Sequence, residues 1–556
     1  MDFEKVYEQW KSFDGLDGYL KDELVKIEGN REEIEDRFYK TLEFGTAGLR
    51  GVLGAGTNRM NVFTVRQATA GLAEYIKKTG HTERGVVIAY DSRHFSPEFA
   101  LEAAKVLCAN NIKVYLFESL RPTPELSFSV RHLHCIAGIV ITASHNPAKY
   151  NGYKVYGEDG GQMPLDAANA VTEEIRKTDM LTGPSVMDEK EALSKGLLTY
   201  IGEDVDRKYL ESVFARRVNP EAVAEVADSF SIVYTPFHGS GNKLVQRILR
   251  MSGLKNLYVV REQEEPDGDF PTVKSPNPED KEGFKLAIEL AKKNNTDLII
   301  GTDPDSDRVG IVVRASDGEY VTMTGNQVGA LLCDYLLSQP GVPSNGAVIS
   351  TIVSTRLIKA ICEKKNIKYF DVLTGFKFIG EKIHQFEIDN SYSYVLGLEE
   401  SYGYLVGTYA RDKDAVVASM LISEMAVYYS KQGKTLYDKM NEIYSEYGYF
   451  KEGVFSAELK GLDGAEKIKG IMKSLRNVDK AKYKIAKTVD YLNDDTGLPK
   501  SDVMQFEFED GGSFIARPSG TEPKIKLYMN TIGKDSADAQ VKEEALKKTA
   551  LEICGL

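Results

Sequence analysis

The chain has few of the features that mark secreted, zinc-ribbon or membrane proteins. Only five cysteines occur in 556 residues, they lie far apart, and none forms a Cys-x-x-Cys or Cys/His cluster. This spacing excludes a zinc ribbon and argues against a disulfide framework. No apolar run approaches the ~20 residues that span a bilayer, and the acidic start Met-Asp-Phe-Glu-Lys lacks the apolar core of a signal peptide. We therefore expect a cytoplasmic protein without a membrane partner.

Positive charge and nucleotide-binding motifs are also scarce. Lys and Arg number 70 against 83 Asp and Glu, a net charge of −13, which argues against nucleic acid as the main partner. The sequence has no P-loop, Gly-x-Gly-x-x-Gly, Gly-x-Ser-x-Gly or His-Glu-x-x-His motif, so an ATP-dependent kinase is disfavoured. The length of 556 residues exceeds what one core holds and indicates three or four domains.

A change of character at residue 142 marks the first candidate site. The apolar run Ile136–Ile141 indicates a buried strand. The stretch Thr142-Ala-Ser-His-Asn-Pro-Ala-Lys-Tyr-Asn-Gly-Tyr-Lys154 follows it, and its Asn-Pro and Asn-Gly dipeptides predict tight turns with Ser144 near the tip. A hydroxyl there, next to His145 and within reach of a lysine, suits a nucleophile. From spacing alone, a serine that only caps a turn or helix is an equal alternative.

Three alternating carboxylates form a second candidate site. Asp303-Pro-Asp305-Ser-Asp307 lies between two apolar runs, so its carboxylates can converge on one hard cation. A calcium loop of the EF-hand type is excluded, because Arg308 and Arg314 stand where that loop has glycine and glutamate. Magnesium is the natural ligand, since it commonly combines a few carboxylates with a phosphate oxygen.

Four further polar stretches are ambiguous by themselves. The loop 44–51 has three glycines that let backbone N–H groups approach a ligand, although a plain glycine loop is the simpler interpretation. In Gly397-Leu-Glu-Glu-Ser-Tyr-Gly403 a carboxylate and a hydroxyl suit vicinal sugar hydroxyls, whereas in isolation a surface turn is favoured. The segment 516–528 combines an arginine fork, hydroxyls and a glycine that suit phosphate. We interpret the charge run Arg411-Asp-Lys-Asp414 as solvated, with ligand contacts as the alternative.

An internal repeat indicates the fold. A strand, a helix and a second strand are predicted within residues 85–117, again within 231–260, and again within 347–369. Three such units predict three similar α/β domains with largely parallel sheets. The alternation of strands and helices in 453–556 fits a small α+β domain, and residues 1–40 indicate amphipathic helix.

The motifs together resemble those of one enzyme family. Thr-Ala-Ser-His-Asn-Pro followed by Tyr-Asn-Gly-Tyr-Lys resembles the phosphoserine loop of the α-D-phosphohexomutases, the phosphoglucomutase and phosphomannomutase superfamily. The stretches 303–308, 397–403 and 516–528 resemble that family's metal, sugar-specificity and phosphate-binding loops, in the family's order. With the glycine loop at residue 44, the resemblance covers nearly the whole chain.

The resemblance implies four domains around a central cleft. Three are similar α/β domains with mixed, largely parallel sheets, and the fourth is a smaller C-terminal α+β domain. The predicted domains are 1–205 with the N-terminal helix and phosphoserine loop, 206–320 with the metal loop, 321–445 with the sugar-specificity loop, and 446–556 with the phosphate-binding loop.

The resemblance also implies roles for individual residues. Phosphorylated Ser144 would transfer its phosphoryl group, with Lys154 as general acid and base, His145 as the alternative in that role, and Arg50 lining the site. A Mg²⁺ ion would be held by Asp303, Asp305, Asp307 and the oxygen on Ser144, with Arg308 facing the transferring group. The substrate would be bound by Glu399 and Ser401 at the sugar hydroxyls and, at the non-reacting phosphate, by Arg517, Ser519, Gly520, Thr521 and Lys526.

The activity implied by the resemblance is an isomerase reaction. It interconverts glucose 1-phosphate and glucose 6-phosphate through a phosphoserine enzyme and glucose 1,6-bisphosphate, with magnesium, in a monomer or homodimer. The Glu-Glu-Ser form of the sugar loop is more similar to the glucose-preferring members than the Glu-Met-Ser form. Mannose or pentose phosphates remain alternative substrates. A phosphosugar phosphatase and a non-catalytic sugar-phosphate binding protein are alternatives from other classes, against which the phosphate loop and the intact serine and aspartates argue.

Overall fold

The structure, a computed structural model, describes residues 2–45, 48–226, 228–459, 464–519 and 524–556. Four β-sheets follow one another along the chain. Within the described ranges, no helix combines the length and the apolar character needed to cross a membrane.

Residues 2–40 form three short helices instead of one continuous helix. These are α1 (Phe3–Lys11), α2 (Gly18–Lys26) and α3 (Arg31–Phe38). Glycines interrupt the helical pattern, and Asp17 and Asn30 then start new helices by accepting hydrogen bonds from Leu20 N and Glu33 N. The three helices bury Trp10 and Phe38 in a small core that they share with Phe63 of the following helix.

The first sheet has six strands in the order β1-β5-β4-β2-β3-β6. The strands β2, β3, β4 and β6 run parallel, whereas β5 is antiparallel to β4 and to β1. Because β2 and β4 are parallel neighbours, the turns that follow them lie side by side at one edge. Its elements are β1 (Leu49–Val52), α4 (Val62–Thr79), β2 (Val86–Tyr90), α5 (Ser96–Ala109), β3 (Val114–Phe117), α6 (Thr123–His132), β4 (Ala137–Ile141), β5 (Tyr150–Gly157), α7 (Leu165–Lys177), α8 (Glu189–Ser194) and β6 (Leu198–Ile201).

The second sheet has five strands in the order β11-β10-β9-β7-β8. β7 is parallel to β8 and β9, and β10 returns antiparallel to β9. The loop between β9 and β10 therefore lies at the carboxyl end of a buried parallel strand. Its elements are α9 (Glu203–Phe214), α10 (Pro220–Val226), β7 (Ser231–Thr235), α11 (Gly241–Met251), β8 (Asn256–Val259), α12 (Arg261–Glu264), α13 (Lys285–Asn294), β9 (Leu298–Thr302), β10 (Val309–Arg314) and β11 (Tyr320–Thr322).

The third sheet has four strands in the order β13-β12-β14-β15. β12 is parallel to β13 and β14, and β15 is antiparallel to β14. Nearly every side chain of its helix α17 is buried, and these side chains belong to the core that the first three sheets share. Its elements are α14 (Gly325–Leu337), β12 (Gly346–Thr351), α15 (Leu357–Lys364), β13 (Lys368–Val372), α16 (Phe376–Asp389), β14 (Ser393–Glu399), β15 (Gly403–Leu405), α17 (Ala415–Ser430) and α18 (Leu436–Tyr447).

The fourth sheet has five antiparallel strands in the order β16-β20-β19-β18-β17. Its elements are β16 (Tyr449–Glu458), α19 (Gly464–Leu475), β17 (Ile485–Asp490), β18 (Met504–Phe508), β19 (Ser513–Pro518), β20 (Lys524–Gly533) and α20 (Ser536–Cys554).

The first three sheets share a hydrophobic core, whereas the fourth has a separate one. One continuous core joins side chains of the first three sheets, for example Val87, Ile300 and Val348. The fourth unit has its own core and touches the third through a small cluster that includes Ile352 and Tyr528. Three mixed α/β sheets followed by an antiparallel α+β unit confirm the predicted fold class, while the residues at which the domains meet stay a prediction.

Candidate active site

The serine-bearing loop begins where β4 ends. Ser144 is buried and has a positive φ of 51°, a left-handed backbone conformation that is uncommon for residues other than glycine. Its N–H donates to Thr142 Oγ1 at 2.8 Å, which stabilises this turn. The prediction of a second turn at Asn-Gly is wrong, because Asn151 and Gly152 lie inside β5. A Cβ on Gly152 would lie 2.5 Å from Thr142 O, so the glycine allows close strand packing instead.

The three aspartates converge in the loop between β9 and β10. One carboxylate oxygen from each of Asp303, Asp305 and Asp307 lies within 4.8 Å of the others, and all three side chains are buried. Among the described residues, Asp305 Oδ1 and Asp307 Oδ1 have no hydrogen-bond partner. Burial and the two neighbouring carboxylates raise the pKa of Asp303 well above its usual value. Buried acceptors without donors, crowded together, are chemically suited to a cation.

The serine loop and the aspartate loop meet although they belong to different sheets. Ser144 Oγ donates to Asp303 Oδ2 at 2.8 Å, and Lys154 Nζ donates to Asp305 Oδ2 at 2.9 Å. Burial is the largest single influence on Asp305 and works against its ionisation, but the charge and hydrogen bond of Lys154, a hydrogen bond with Asp303 and the charge of Lys413 together lower the pKa of this carboxyl. The nucleophile candidate, the lysine and the aspartates therefore form one connected group.

Thr123 joins the same group. Its hydroxyl donates to Asp305 Oδ2 at 3.0 Å and its N–H to Asp305 O at 2.9 Å. Sequence reasoning missed this residue. Its only local signal is the Pro-Thr-Pro sequence at the start of α6, which predicts the start of a helix but not a hydrogen bond to Asp305.

The predicted basic residues and His145 surround the serine. His145 Nδ1 lies 3.1 Å from Ser144 Oγ. Burial, followed by the charges of Arg308 and Arg50, lowers the pKa of His145 well below its usual value, so the imidazole is neutral. Arg50 Nη1 donates to Asn146 Oδ1 at 3.4 Å, and Arg308 donates from its backbone N–H to Asp303 Oδ1 at 3.0 Å.

The charge run Arg411–Asp414 is buried, which overturns its interpretation as a solvated stretch. All four residues are at most 6% exposed. Lys413 Nζ lies 3.1 Å from Asp307 Oδ2 and 2.8 Å from Asp412 Oδ1. Burial alone would lower the pKa of Lys413, but these two carboxylates raise it above its usual value. The run folds inside because each of its charges meets a buried opposite charge or a hydrogen-bonding partner.

The predicted sugar loop lies beside the aspartate loop. Glu399 ends β14, and the backbone N–H of Val309, the first residue after the aspartate loop, donates to Tyr402 O at 3.0 Å. Burial raises the pKa of Glu399 to about 7, with Lys413 acting in the opposite direction and Glu400 in the same one. Ser401 follows in a half-buried position. The loop can therefore present a carboxyl and a hydroxyl to a ligand next to the aspartates.

The predicted phosphate loop begins at the end of β19. Arg517 and Lys526 are cross-strand partners in β19 and β20, and Ser519 N–H donates to Lys524 O at 2.7 Å. Arg517 also hydrogen-bonds the hydroxyl of Tyr528, whose pKa is raised to about 12 by burial and then by Glu400. This strand end therefore faces the third unit. Gly520 and Thr521 lie outside the described residues.

Comparison with known proteins places the chain in a family. Four family models match in order: Phosphoglucomutase/phosphomannomutase alpha/beta/alpha domain I over residues 41–182, domain II over 207–318, domain III over 324–447, and the C-terminal domain over 465–548. A phosphoglucomutase of Staphylococcus epidermidis is 39% identical over 534 residues, which are 92% of this chain and 95% of that protein. The chain belongs to the phosphoglucomutase/phosphomannomutase family.

Other relatives agree with this membership. A phosphoglucomutase of Staphylococcus aureus is 39% identical over 543 residues, 94% of this chain and 96% of that protein. The solved open form of pp63/parafusin, a phosphoglucomutase from Paramecium, shares 19% identity, covers 93% of this chain and 95% of its own, and superposes with a TM-score of 0.72, which shows the same fold. The family resemblance predicted from the loops is thereby confirmed. In this phosphoglucomutase/phosphomannomutase family member, the helices α1 to α3 precede the matched ranges.

Proposed function

We infer that this protein is a phosphoglucomutase, an isomerase that interconverts glucose 1-phosphate and glucose 6-phosphate. The observation that carries the inference is the 2.8 Å contact between Ser144 Oγ and Asp303, within a buried cluster of three aspartates. It stands in a chain that is 39% identical to phosphoglucomutases over nearly its whole length. We place the enzyme in the cytoplasm, as a monomer or homodimer that acts on a small phosphosugar.

Magnesium is the proposed metal, held by Asp303, Asp305, Asp307 and an oxygen on Ser144. The fit rests on the buried carboxylate oxygens of Asp305 and Asp307, which lack donors among the described residues. When bound there, the ion would offset negative charge on the transferring phosphoryl group. Arg308 and Lys413 supply positive charge at the same loop, because Arg308 Nε lies 3.9 Å from Asp307 Oδ1 and Lys413 Nζ lies 3.1 Å from Asp307 Oδ2.

The reaction needs one phosphoryl group and one proton to move in each half. The bond from Ser144 Oγ to phosphorus breaks as a sugar oxygen bonds to phosphorus, which forms glucose 1,6-bisphosphate. The sugar hydroxyl gives up its proton, and Ser144 Oγ regains one. We assign this proton transfer to Lys154, which lies against Asp305, and keep His145, whose Nδ1 is 3.1 Å from Ser144 Oγ, as the alternative.

The second half runs in reverse after the bisphosphate has turned end for end. The predicted phosphate loop, between β19 and β20, must hold a phosphate attached at either end of the sugar. We assign that contact to Arg517, Ser519, Gly520, Thr521 and Lys526. Glu399 and Ser401 accept and donate hydrogen bonds at the sugar hydroxyls, and Arg50 lines the entrance beside Asn146.

A coupled assay tests the proposal. It measures glucose 6-phosphate formed from glucose 1-phosphate, with magnesium and a trace of glucose 1,6-bisphosphate. Ser144→Ala removes the nucleophile, and we expect kcat to fall by a factor on the order of 10³ or more. Chelator has the same effect, whereas the matched variant Ser430→Ala at the end of α17 keeps full activity.

Parallel substrates and variants separate the alternatives. Faster turnover of mannose 1-phosphate or ribose 1-phosphate would change the substrate but leave the mechanism. Release of inorganic phosphate in place of isomerised product would identify a phosphatase, and no turnover of any phosphosugar would identify a binding protein. Loss of activity in His145→Ala, with near-normal kcat in Lys154→Ala, would exchange the two roles.

A further inference from the structure

Arg93 is a buried arginine to which the proposed reaction gives no task. It lies in the turn after β2 and is 1% exposed. Its Nη1 donates to Pro147 O and Tyr150 O, both at 3.0 Å, and its Nη2 donates to Ser144 O at 2.5 Å and also to Asn146 O. The two terminal nitrogens therefore contact four carbonyl oxygens, three in the serine-bearing loop and one at Tyr150, where β5 begins.

Two side chains, Asp91 and Phe270, also hold the guanidinium. Asp91 Oδ2 lies 3.3 Å from Arg93 Nε, and Asp91 Oδ1 accepts the N–H of Arg93 at 2.9 Å and the hydroxyl of Ser96 at 2.8 Å. Phe270, which comes from the second unit and is 2% exposed, places its ring 5.0 Å from the guanidinium carbon. A cation held between a buried carboxylate and an aromatic face has little freedom to move.

The serine loop has a backbone shape that its surroundings must enforce, and Arg93 adds to other hydrogen bonds there, such as that from Ser275 Oγ to His145 O at 2.7 Å. Ser144 has a positive φ, which is costly for a residue with a side chain and persists only when its surroundings enforce it. Residues 142–149 form neither helix nor strand, so their carbonyl groups need partners outside regular structure. An arginine presents five donors in a rigid plane, whereas a lysine presents three on one atom. Only the planar fork can bind four carbonyl oxygens from two nitrogens.

We propose that Arg93 is a positioning residue that fixes the backbone of the serine loop, and that Phe270 holds Arg93 in place. The proposal rests on the proposed function for its catalytic consequence. Among the described contacts, Arg93 does not touch Asp303, Asp305, Asp307 or the sugar loop, so it acts on the reaction through the position of Ser144. It follows that Arg93 affects kcat more than the KM for glucose 1-phosphate.

The decisive variant is Arg93→Lys, which keeps the positive charge beside Asp91 and removes the planar fork. We expect kcat to fall about a hundredfold, the scale of a nucleophile misplaced by roughly 1 Å. KM for glucose 1-phosphate changes less than about threefold, since its binding groups are untouched. Phosphoryl uptake by Ser144 from glucose 1,6-bisphosphate, followed by intact mass, slows by the same factor as kcat. Amide hydrogen exchange in 143–151 becomes faster.

Arg59→Lys is the matched control. Arg59 is also buried, pairs with Asp36, and donates to the carbonyl oxygen of Asn58 at 3.0 Å, but it lies in the N-terminal region away from the serine loop. We expect this variant to lose stability and to keep kcat. If Arg93→Lys lowers only the melting temperature and its folded fraction keeps wild-type kcat, Arg93 is merely structural and the proposal is overturned.

A second variant covers the case in which Arg93→Lys does not fold. Phe270→Leu removes the ring over Arg93, and we expect a several-fold loss of kcat with faster exchange in 143–151. Phe284→Leu, a buried ring of the same unit that packs on Phe237, keeps kcat. If folded Phe270→Leu keeps wild-type kcat and hydrogen exchange, Phe270 does not hold Arg93 in place, and the proposed positioning of the serine loop is overturned.

The two proposals fail in different ways. If the wild-type protein neither isomerises glucose 1-phosphate nor takes up a phosphoryl group, the proposed function fails. Hydrogen exchange in 143–151 still decides the role of Arg93 in that case, because it reports loop order without activity. If the wild type is active and Arg93→Lys matches it in kcat and exchange, only the positioning role is lost.

Discussion

Glu399 shows how burial and neighbouring charges set the behaviour of one side chain. It is 6% exposed, and burial is the largest cause that raises the pKa of its carboxyl to about 7. Lys413 opposes that shift, Glu400 and Asp412 add to it, and Arg308 opposes it. A group with this pKa can be an acid or a carboxylate near neutral pH, which suits the role proposed for Glu399 at the hydroxyls of a sugar bound in two orientations.

The pH dependence of stability follows from this pKa. In the unfolded chain the carboxyl titrates near 4.5. Between pH 4.5 and 7 the folded state therefore keeps a proton that the unfolded state has lost, so rising pH lowers the free energy of unfolding. The contribution lost across this window is about 3 kcal/mol.

The Glu399→Gln variant isolates this contribution. We expect the difference in unfolding free energy, wild type minus variant, to fall by about 3 kcal/mol from pH 4.5 to 7 and to be flat on either side. Urea unfolding at a series of pH values measures it, with Glu289→Gln on the exposed side of α13 as control. A difference that does not change with pH would show that Glu399 titrates in the folded protein as it does in the unfolded chain.

Sequence predicted candidate site residues best where a site is built from neighbours in the chain. Asp303, Asp305 and Asp307 are such a case, because their spacing alone brings three carboxylates together. Lys413 could not be placed in this way, since its partner Asp307 reaches it only through packing of α17 on the second sheet. Charge pattern alone cannot distinguish a solvated run from one whose charges are neutralised by residues distant in sequence.

At the scale of elements, the β4–β5 hairpin links the serine loop to the first sheet. The strands of the three repeats were predictable, because short apolar runs rich in β-branched residues are typical of buried strands. The role of Gly152 in close strand packing was not predictable, because it depends on β1, a strand from elsewhere in the chain. In the antiparallel pair of β1 and β5, Gly152 stands opposite Arg50.

Gly152→Ala tests this packing. The added Cβ would lie 2.5 Å from Thr142 O and 2.8 Å from Leu49 O, both backbone atoms that cannot move aside singly. We expect a loss of about 1–3 kcal/mol in unfolding free energy and a lower kcat, because the strain falls on the hairpin that carries Ser144. Urea unfolding and the coupled assay measure the two effects.

Gly157→Ala, in the same strand, is the matched control. Its nearest contact is the flexible carboxylate of Asp159 at 3.3 Å, so we expect a change below about 0.5 kcal/mol. Equal effects of the two substitutions would mean that loss of glycine flexibility, and not the close approach of β1, explains the result.

At the scale of the molecule, α17 connects the first three units. Its sixteen residues are buried on nearly every side, and the core around them includes side chains from all three α/β sheets. The fold class was predictable from the repeats and the family resemblance, but the shared core was not, because a uniformly apolar helix gives no direction in which it packs. A shared core predicts that the first three units unfold together, separately from the fourth, which has its own core.

Asp414→Ala tests whether that core acts as one unit. Asp414 Oδ1 caps α17 by accepting from Val416 N at 2.7 Å and Val417 N at 3.0 Å, and Oδ2 accepts the hydroxyls of Tyr209 and Tyr409. Losing the cap costs about 1 kcal/mol, and each tyrosine hydroxyl left without a partner costs about 1–3 kcal/mol more. In calorimetry we expect the transition of the first three units to shift down as one peak, while that of the fourth stays in place.

The control for this prediction is Asp188→Ala. Asp188 caps the short helix α8 with the same geometry, accepting from Lys190 N and Glu191 N, but has no tyrosine partners and lies near the surface. We expect it to cost about 1 kcal/mol, the cap alone. If Asp414→Ala matched Asp188→Ala, the tyrosine bonds would contribute nothing. If it split the main transition into separate peaks, the three units would not share one cooperative core, and α17 would stabilise only the sheet that precedes it.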